Sequence, residues 1–239
     1  MFSTSISNAA GNEPPFADSA LHTAFFDFDK TLICRNSANL WLRYELRDGH
    51  ITKRQLVRAM GWLLRYRFGS SDLHHAFAES IATLKGTSED DLRQRTALFY
   101  QTWLRDLYRP GALQAIAHHR RLGHRVVLLT TASPYLAQPV AHHLGLDAYI
   151  CTHLEVGPGG RFTGRPIEPL CFGAGKRALA QEYASAHGIS LRHCAFYTDS
   201  ASDIPALSAV GSPVAVHPDP RLRRHAKRCG WPIVDWGVP

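Results

Sequence analysis

The stretch "FFDFDKTL", Phe25 to Leu32, ends an apolar run in two aspartates set two positions apart. From Leu21 to Phe28 the residues are short, apolar and aromatic, as in a strand buried on both faces. A carboxylate at the end of such a strand must find water, a cation or a chemical task. Side chains two apart on extended backbone share one face. Strand geometry carried through Phe28 would therefore aim Asp27 and Asp29 into the same crevice. Like charges that close repel unless a cation or a proton intervenes.

Working outward, residues 36–107 change character. They carry helical apolar spacing, abundant arginine and three of the five tryptophans, with breaks near Asp48-Gly49, Gly69-Ser70 and Gly86-Thr87. This pattern predicts an inserted helical module. After Pro110-Gly111 strands and helices alternate: a helix over 112–122, a strand over 125–130, and a helix opening at Ser133-Pro134. Then "YICTHLEVGPGGRFTG" reads as a strand entering a Gly-Pro-Gly-Gly hairpin. A helix from Lys176 to His187, a strand over 193–198, a helix near Asp203-Ile204-Pro205, a strand over 213–216, a basic helix over 219–229 and a last strand at Ile233 complete the chain. Such alternation implies an α/β fold, a doubly wound parallel sheet with helices on both faces. The division expected is a leader over 1–20, a core from 21–35 and 108–239, and a helical cap over 36–107.

Ligands of open parallel sheets bind beyond the carboxyl ends of the strands. Three polar clusters fall there: Asp27 to Thr31, Thr130 to Ser133, and Thr198 to Asp203. A lone aspartate at a strand end is as readily a helix cap or a solvated turn. Independent caps have no reason to gather at one edge, however. Several carboxylate oxygens around one point suit Mg²⁺, which accepts carboxylates while keeping water.

These clusters resemble, in order, the motifs of the haloacid dehalogenase superfamily. Asp27-Phe28-Asp29-Lys30-Thr31 is similar to the D-x-D-x-T signature of its phosphatases. "VVLLTTAS" resembles the second motif, Lys176 the third, and Asp199-Ser200-Ala201-Ser202-Asp203 the fourth, with Lys176 23 positions before Asp199. A helical insert directly after the first motif resembles the phosphoserine-phosphatase-like branch (subfamily IB), whose insert is a C1 cap on a Rossmann-like core. The resemblance implies a nucleophile at Asp27 and a general acid and base at Asp29. It implies Mg²⁺ held by Asp27, by Asp29 through its carbonyl, by Asp199, and by Asp203 directly or through water. Lys176 would offset negative charge, Thr31 would orient the loop, and Thr131 with the Ala132 amide would take phosphoryl oxygens. Either threonine could serve there, with Thr131 aligning more naturally. Ser133 reads as a helix cap. Ser202 stands where many relatives carry an asparagine on the phosphate.

Phosphoserine phosphatases carry a glutamate nine positions after the nucleophile to grip the substrate ammonium. Here that position is Asn36, beside Arg35. The expected substrate is thus a small phosphorylated metabolite, with histidinol phosphate an alternative to phosphoserine.

Composition limits the other classes. Twenty-seven Lys and Arg against 20 Asp and Glu give a net charge of +7, which favours anionic ligands. Arg43, Arg47, Lys53, Arg54, Arg58, Arg65 and Arg67 read as a solvated cationic face of the cap, one or two of them available to close over an ester. A basic nucleic-acid-binding protein is a competing reading, but no reading motif is recognisable and an acidic crevice repels phosphate chains, so no nucleic acid is expected. A receiver-like protein carrying phosphate on Asp27 would need neither the cap nor Asp29. Five scattered cysteines without a C-x-x-C pair argue against disulfides or zinc. Without a signal-peptide pattern or a membrane-length apolar run, the expectation is a cytoplasmic protein.

Overall fold

A computed structural model describes residues 22–50 and 80–239. The expected leader, the middle of the insert and the cap residues Lys53, Arg54, Arg58, Trp62, Arg65 and Arg67 lie outside the described residues. Six parallel strands form the main sheet in the order β3-β2-β1-β6-β7-β8. They are β1 (Thr23–Phe26), β2 (Arg125–Leu129), β3 (Ala148–Ile150), β6 (Cys194–Thr198), β7 (Ser212–Val216) and β8 (Ile233–Val234). The chain leaves β1 toward β2 and β3, then returns to β6 on its other side. This reversal places the switch point between β1 and β6.

Period-two alternation splits the core into two layers. Phe26, Leu128, Tyr197 and Val214 pack on one face, beneath α3 (Pro110–Arg121) and α4 (Pro134–Leu144). Phe25, Val127, Phe196 and Ala215 pack on the other, beneath α5 (Ala174–Ala186), α6 (Ile204–Leu207) and α7 (Pro220–Cys229). Leu222 and Ala226 of α7 are buried while its arginines face solvent, as read from the sequence. Among the described residues no helix is long and apolar enough to cross a membrane, and all five cysteines are free.

The first strand is shorter than its composition suggested. It ends at Phe26, and Phe28–Leu32 form an irregular turn in which Lys30 adopts φ 58°. The insert follows as α1 (Ser37–Arg47) and returns through α2 (Glu89–Phe99). Trp41, Tyr44, Phe99 and Trp103 pack ring against ring between these helices, so Trp41 and Trp103 are packing residues. The two linkers to the sheet run antiparallel: Ile33 bridges Tyr108, and the Cys34 N–H donates to the Leu107 carbonyl at 3.0 Å. A separate hairpin, β4 (Leu154–Gly157) with β5 (Arg161–Pro166), pairs along residues 86–89 through Phe162–Gly86, Thr87–Phe162 and Gly160–Glu89 main-chain bonds.

His119 of α3 lies buried against the sheet, its Nδ1 2.9 Å from His124 Nδ1 and its Nε2 2.8 Å from the Tyr197 hydroxyl. Burial, aided by His124 and His118, pushes its pKa down to about 3. An unfolded imidazole titrates near about 6.5. Between those values the unfolded chain binds more protons, so this contribution to stability is present above about 6.5 and is lost as pH falls toward about 3. The urea midpoint of the wild type is expected to fall more steeply between about pH 7 and about pH 4.5 than that of His119→Gln. Parallel profiles would contradict the assignment.

Candidate active site

The ends of β1 and β6 bring the expected residues together. Asp27 follows β1 and continues its ladder by one bond, its N–H donating to the Tyr197 carbonyl at 2.9 Å. Lys176 sits in the first turn of α5, whose entry brings backbone close to backbone: a Cβ on Gly175 would lie 2.1 Å from the Leu170 carbonyl oxygen. From there its ammonium donates to Asp27 Oδ1 and Asp203 Oδ2, each at 2.8 Å, at 2% side-chain exposure. Asp203 Oδ2 also receives the Thr198 hydroxyl at 2.6 Å, while Asp203 Oδ1 is buried with no hydrogen-bond partner. Thr31 is fully enclosed, and its hydroxyl points to Asp27 Oδ2 at 3.4 Å. It faces the carboxylate rather than open space.

Asp29 departs from the expected arrangement. Its backbone is extended (φ −67°, ψ 127°), but the Lys30 corner then reverses the chain. Its two carboxylate oxygens receive the Ser37 N–H at 2.5 Å and the Ser37 hydroxyl at 3.0 Å. The carboxylate thus rests on the first turn of α1 instead of joining Asp27 in a common ligand set, and only the Asp29 carbonyl remains for such a role. Strand geometry does not persist through Phe28, which is the physical reason. Asn36 caps α1, its Oδ1 accepting from the Asn39 N–H at 3.0 Å, and Arg35 is exposed beside it.

The other clusters lie at the same edge. The Thr131 hydroxyl donates to the Cys171 carbonyl at 2.9 Å, and the Ala132 N–H donates to Thr130 Oγ1 at 3.2 Å. Ser133 occupies the N-cap position of α4 without a side-chain capping bond. Ser202 shares a 2.9 Å hydroxyl contact with Ser200. Sequence reasoning passed over Ser37 and Asp219, and gave Thr198 no role of its own. Asp219 Oδ2 receives the Ala201 N–H at 2.7 Å, and its own N–H donates to the Asp199 carbonyl at 2.8 Å, fixing the fourth cluster. A hydroxyl in the first turn after Asn36 was the available signal for Ser37.

Electrostatics follow from burial. Desolvation raises the Asp27 carboxyl to about 6 even against Lys176, with Asp203 and Asp29 adding to the rise. Asp199 is raised well above the usual carboxylate range, first by burial and then by Asp27. Asp29 is raised by burial and partly restored by its Ser37 bonds. Burial opposes charge on Lys176, but Asp203 and Asp27 together reverse that and hold its pKa above the ordinary lysine value.

A divalent cation fits this chemistry. The potential donors are all oxygens, two of the acids are strained by lost solvation and mutual repulsion, and Asp203 Oδ1 lacks a partner. Among the described residues no three acidic, histidine or cysteine side chains converge into a complete set. Two carboxylates, a main-chain carbonyl and water would be the sparse ligation that Mg²⁺ tolerates.

The haloacid dehalogenase-like hydrolase family matches residues 24–208. The chain belongs to that family. It is 32% identical to a phosphoserine phosphatase of Mycobacterium tuberculosis, covering 96% of this chain and 76% of that one. It is 28% identical to a histidinol-phosphatase of Neisseria meningitidis serogroup C, covering 89% of this chain and 98% of that one. A crystal structure of a Bordetella pertussis protein of unknown function superposes with a TM-score of 0.80 at 27% identity, covering 90% and 99% of the two chains.

Removing the shared ammonium leaves two buried carboxylates without their cation. Lys176→Met is expected to cost about 3–5 kcal/mol in urea unfolding at neutral pH. Wild-type stability in that variant would show that the pair is not buried as described.

Proposed function

We propose that the protein is a Mg²⁺-dependent phosphomonoesterase that hydrolyses esters of small alcohols by way of a phosphoryl group carried on Asp27. One observation carries this reading. A fully enclosed ammonium is shared by Asp27 and Asp203 at the switch point of the sheet, which keeps an anionic nucleophile available where an anionic ester must approach. In the first displacement an Asp27 oxygen bonds to phosphorus as the ester P–O bond breaks, and the departing alkoxide takes a proton from Asp29. In the second, water attacks phosphorus, the acyl-phosphate P–O bond breaks, Asp27 is regenerated, and the water proton passes to Asp29. Lys176 offsets charge throughout.

Mg²⁺ held by Asp27, the Asp29 carbonyl, Asp199 and, through water or support, Asp203 would supply electrostatic stabilisation of the phosphoryl oxygens. The Thr131 hydroxyl and Ala132 amide exchange their present protein partners for those oxygens. Asp29 leaves Ser37 to reach the ester oxygen, which ties the acid to the first helix of the insert. The division into core and cap at residues 36–107 is part of the same proposal, and an enclosing cap favours a small, soluble substrate over nucleic acid or membrane. The relatives' names supply two substrate readings. Phosphoserine fits the wider branch. L-histidinol phosphate is favoured by the match that spans nearly all of the Neisseria protein, and Asn36, whose Oδ1 caps α1, stands where the phosphoserine enzymes carry their glutamate.

Phosphate release from phosphoserine, histidinol phosphate, sugar phosphates and nucleotides, with and without Mg²⁺, tests the reading. Asp27→Asn is expected to abolish turnover of every ester, and unchanged turnover would falsify the nucleophile assignment. In kcat/KM, which reports the first displacement, Asp29→Asn is expected to slow alcohol esters by about 10²–10⁴-fold, the usual worth of general acid catalysis, and aryl esters far less. Equal losses on both would count against the acid role.

A further inference from the structure

Lys30 turns the chain between Asp29 and Thr31 with φ 58° and ψ −4°, a conformation that a lysine holds only when its surroundings impose it. Its side chain is exposed and does not anchor the turn. The main chain does so: the Lys30 N–H donates to the Arg35 carbonyl at 3.0 Å, and the Lys30 carbonyl accepts from Arg109 Nε at 3.2 Å. Arg109 arrives from the returning linker, where its own N–H donates to the Leu32 carbonyl at 2.9 Å. Arg109 as a whole is 6% exposed, and its guanidinium also donates through Nη1 to the Gly237 carbonyl.

That second acceptor belongs to a tail that is itself pinned. Trp236 packs against Phe26 and Tyr197 with ring centroids 6.2 and 5.3 Å away, and its carbonyl receives the Gly111 N–H at 3.0 Å. A Cβ on Gly111 would meet the Trp236 ring at 2.5 Å, so only glycine admits the tail so closely. One guanidinium thus joins the turn after Asp29, the linker of the insert and the tail. Both of these bonds go to main-chain carbonyls and use the fixed fork of the guanidinium, while Asp235 and Asp199 favour its charge.

We propose that Arg109 is a positioning residue for the acid–base step. It clamps the Lys30 corner, and through it the placement of Asp29, against the Trp236–Gly237 tail. The inference rests on the function proposed above for Asp29.

The test compares Arg109→Met and Arg109→Lys with the wild type on an alkyl phosphate and on 4-nitrophenyl phosphate, in the full chain with Mg²⁺. A misplaced catalytic group costs about a hundredfold, so Arg109→Met is expected to lose about that factor in kcat/KM, which reports the leaving-group step, on the alkyl ester and less than about tenfold on the aryl ester. Lysine retains one of the two bonds and is expected to fall between. In the Asp29→Asn background the same change should leave the alkyl-to-aryl ratio where Asp29→Asn alone sets it. Equal losses on both esters, or losses that only follow the folded fraction, overturn the proposal. Amide hydrogen exchange provides a readout independent of activity: Arg109→Met is expected to speed exchange at Lys30 and Ile33 while leaving β1 protected. Unchanged exchange there overturns the clamp even if the enzyme turns over every ester. Faster exchange with no discrimination between esters in Asp29→Asn locates the failure in the acid assignment, and a positioning role in that step falls with it.

Discussion

The Lys176 ammonium donates to Asp27 and Asp203 at 2.8 Å each, and the active edge of the sheet is organised around that pair of bonds. Asp27 follows the first strand, Asp203 follows the sixth, and Lys176 opens α5, so three elements distant in sequence meet on one nitrogen. Burying any of the three alone would be costly. Together they form a charge-assisted set in which each carboxylate keeps one oxygen free of the ammonium. Thr198 and Thr31 turn their hydroxyls toward these acids.

Asp29, the proposed acid and base, is held differently. It lies beyond the strand, past the point where the sheet dictates side-chain direction, and its carboxylate is received by the backbone and hydroxyl of Ser37. The proposed nucleophile is thus fixed by the core and the proposed acid by the insert. In the proposed mechanism the acid must deliver a proton to the leaving group, whereas the nucleophile stays with the sheet. The antiparallel linkers at Ile33 and Tyr108 are where motion of the insert would reach the turn carrying Asp29.

The sheet and the third and fourth clusters were legible because they depend on local pattern. Continuous apolar runs such as Ala24 to Phe26 and Ala195 to Tyr197, set among alternating helical segments, read as central parallel strands, and the spacing of Lys176 to Asp199 follows from one helix and one strand between them. The direction of Asp29 was not legible. It depends on a left-handed corner at Lys30 whose carbonyl is held by Arg109, 79 positions away, and no local propensity encodes such a partner. The role of Asp219 was hidden for the same reason, since its bond to the Ala201 amide joins the start of α7 to the loop after β6. Asn36 was legible as a departure from the phosphoserine-phosphatase pattern, and the structure adds that its side chain is spent on capping α1.

The central claim is that Asp27, held beside a buried ammonium, becomes the carrier of the phosphoryl group. The most direct measurement is rapid acid quenching during turnover, followed by borohydride reduction, which converts an aspartyl phosphate to homoserine, and peptide mass spectrometry. The account predicts homoserine at position 27 and nowhere else. Phosphate release with aspartate intact at position 27, and the phosphoryl group found on another side chain, would contradict it.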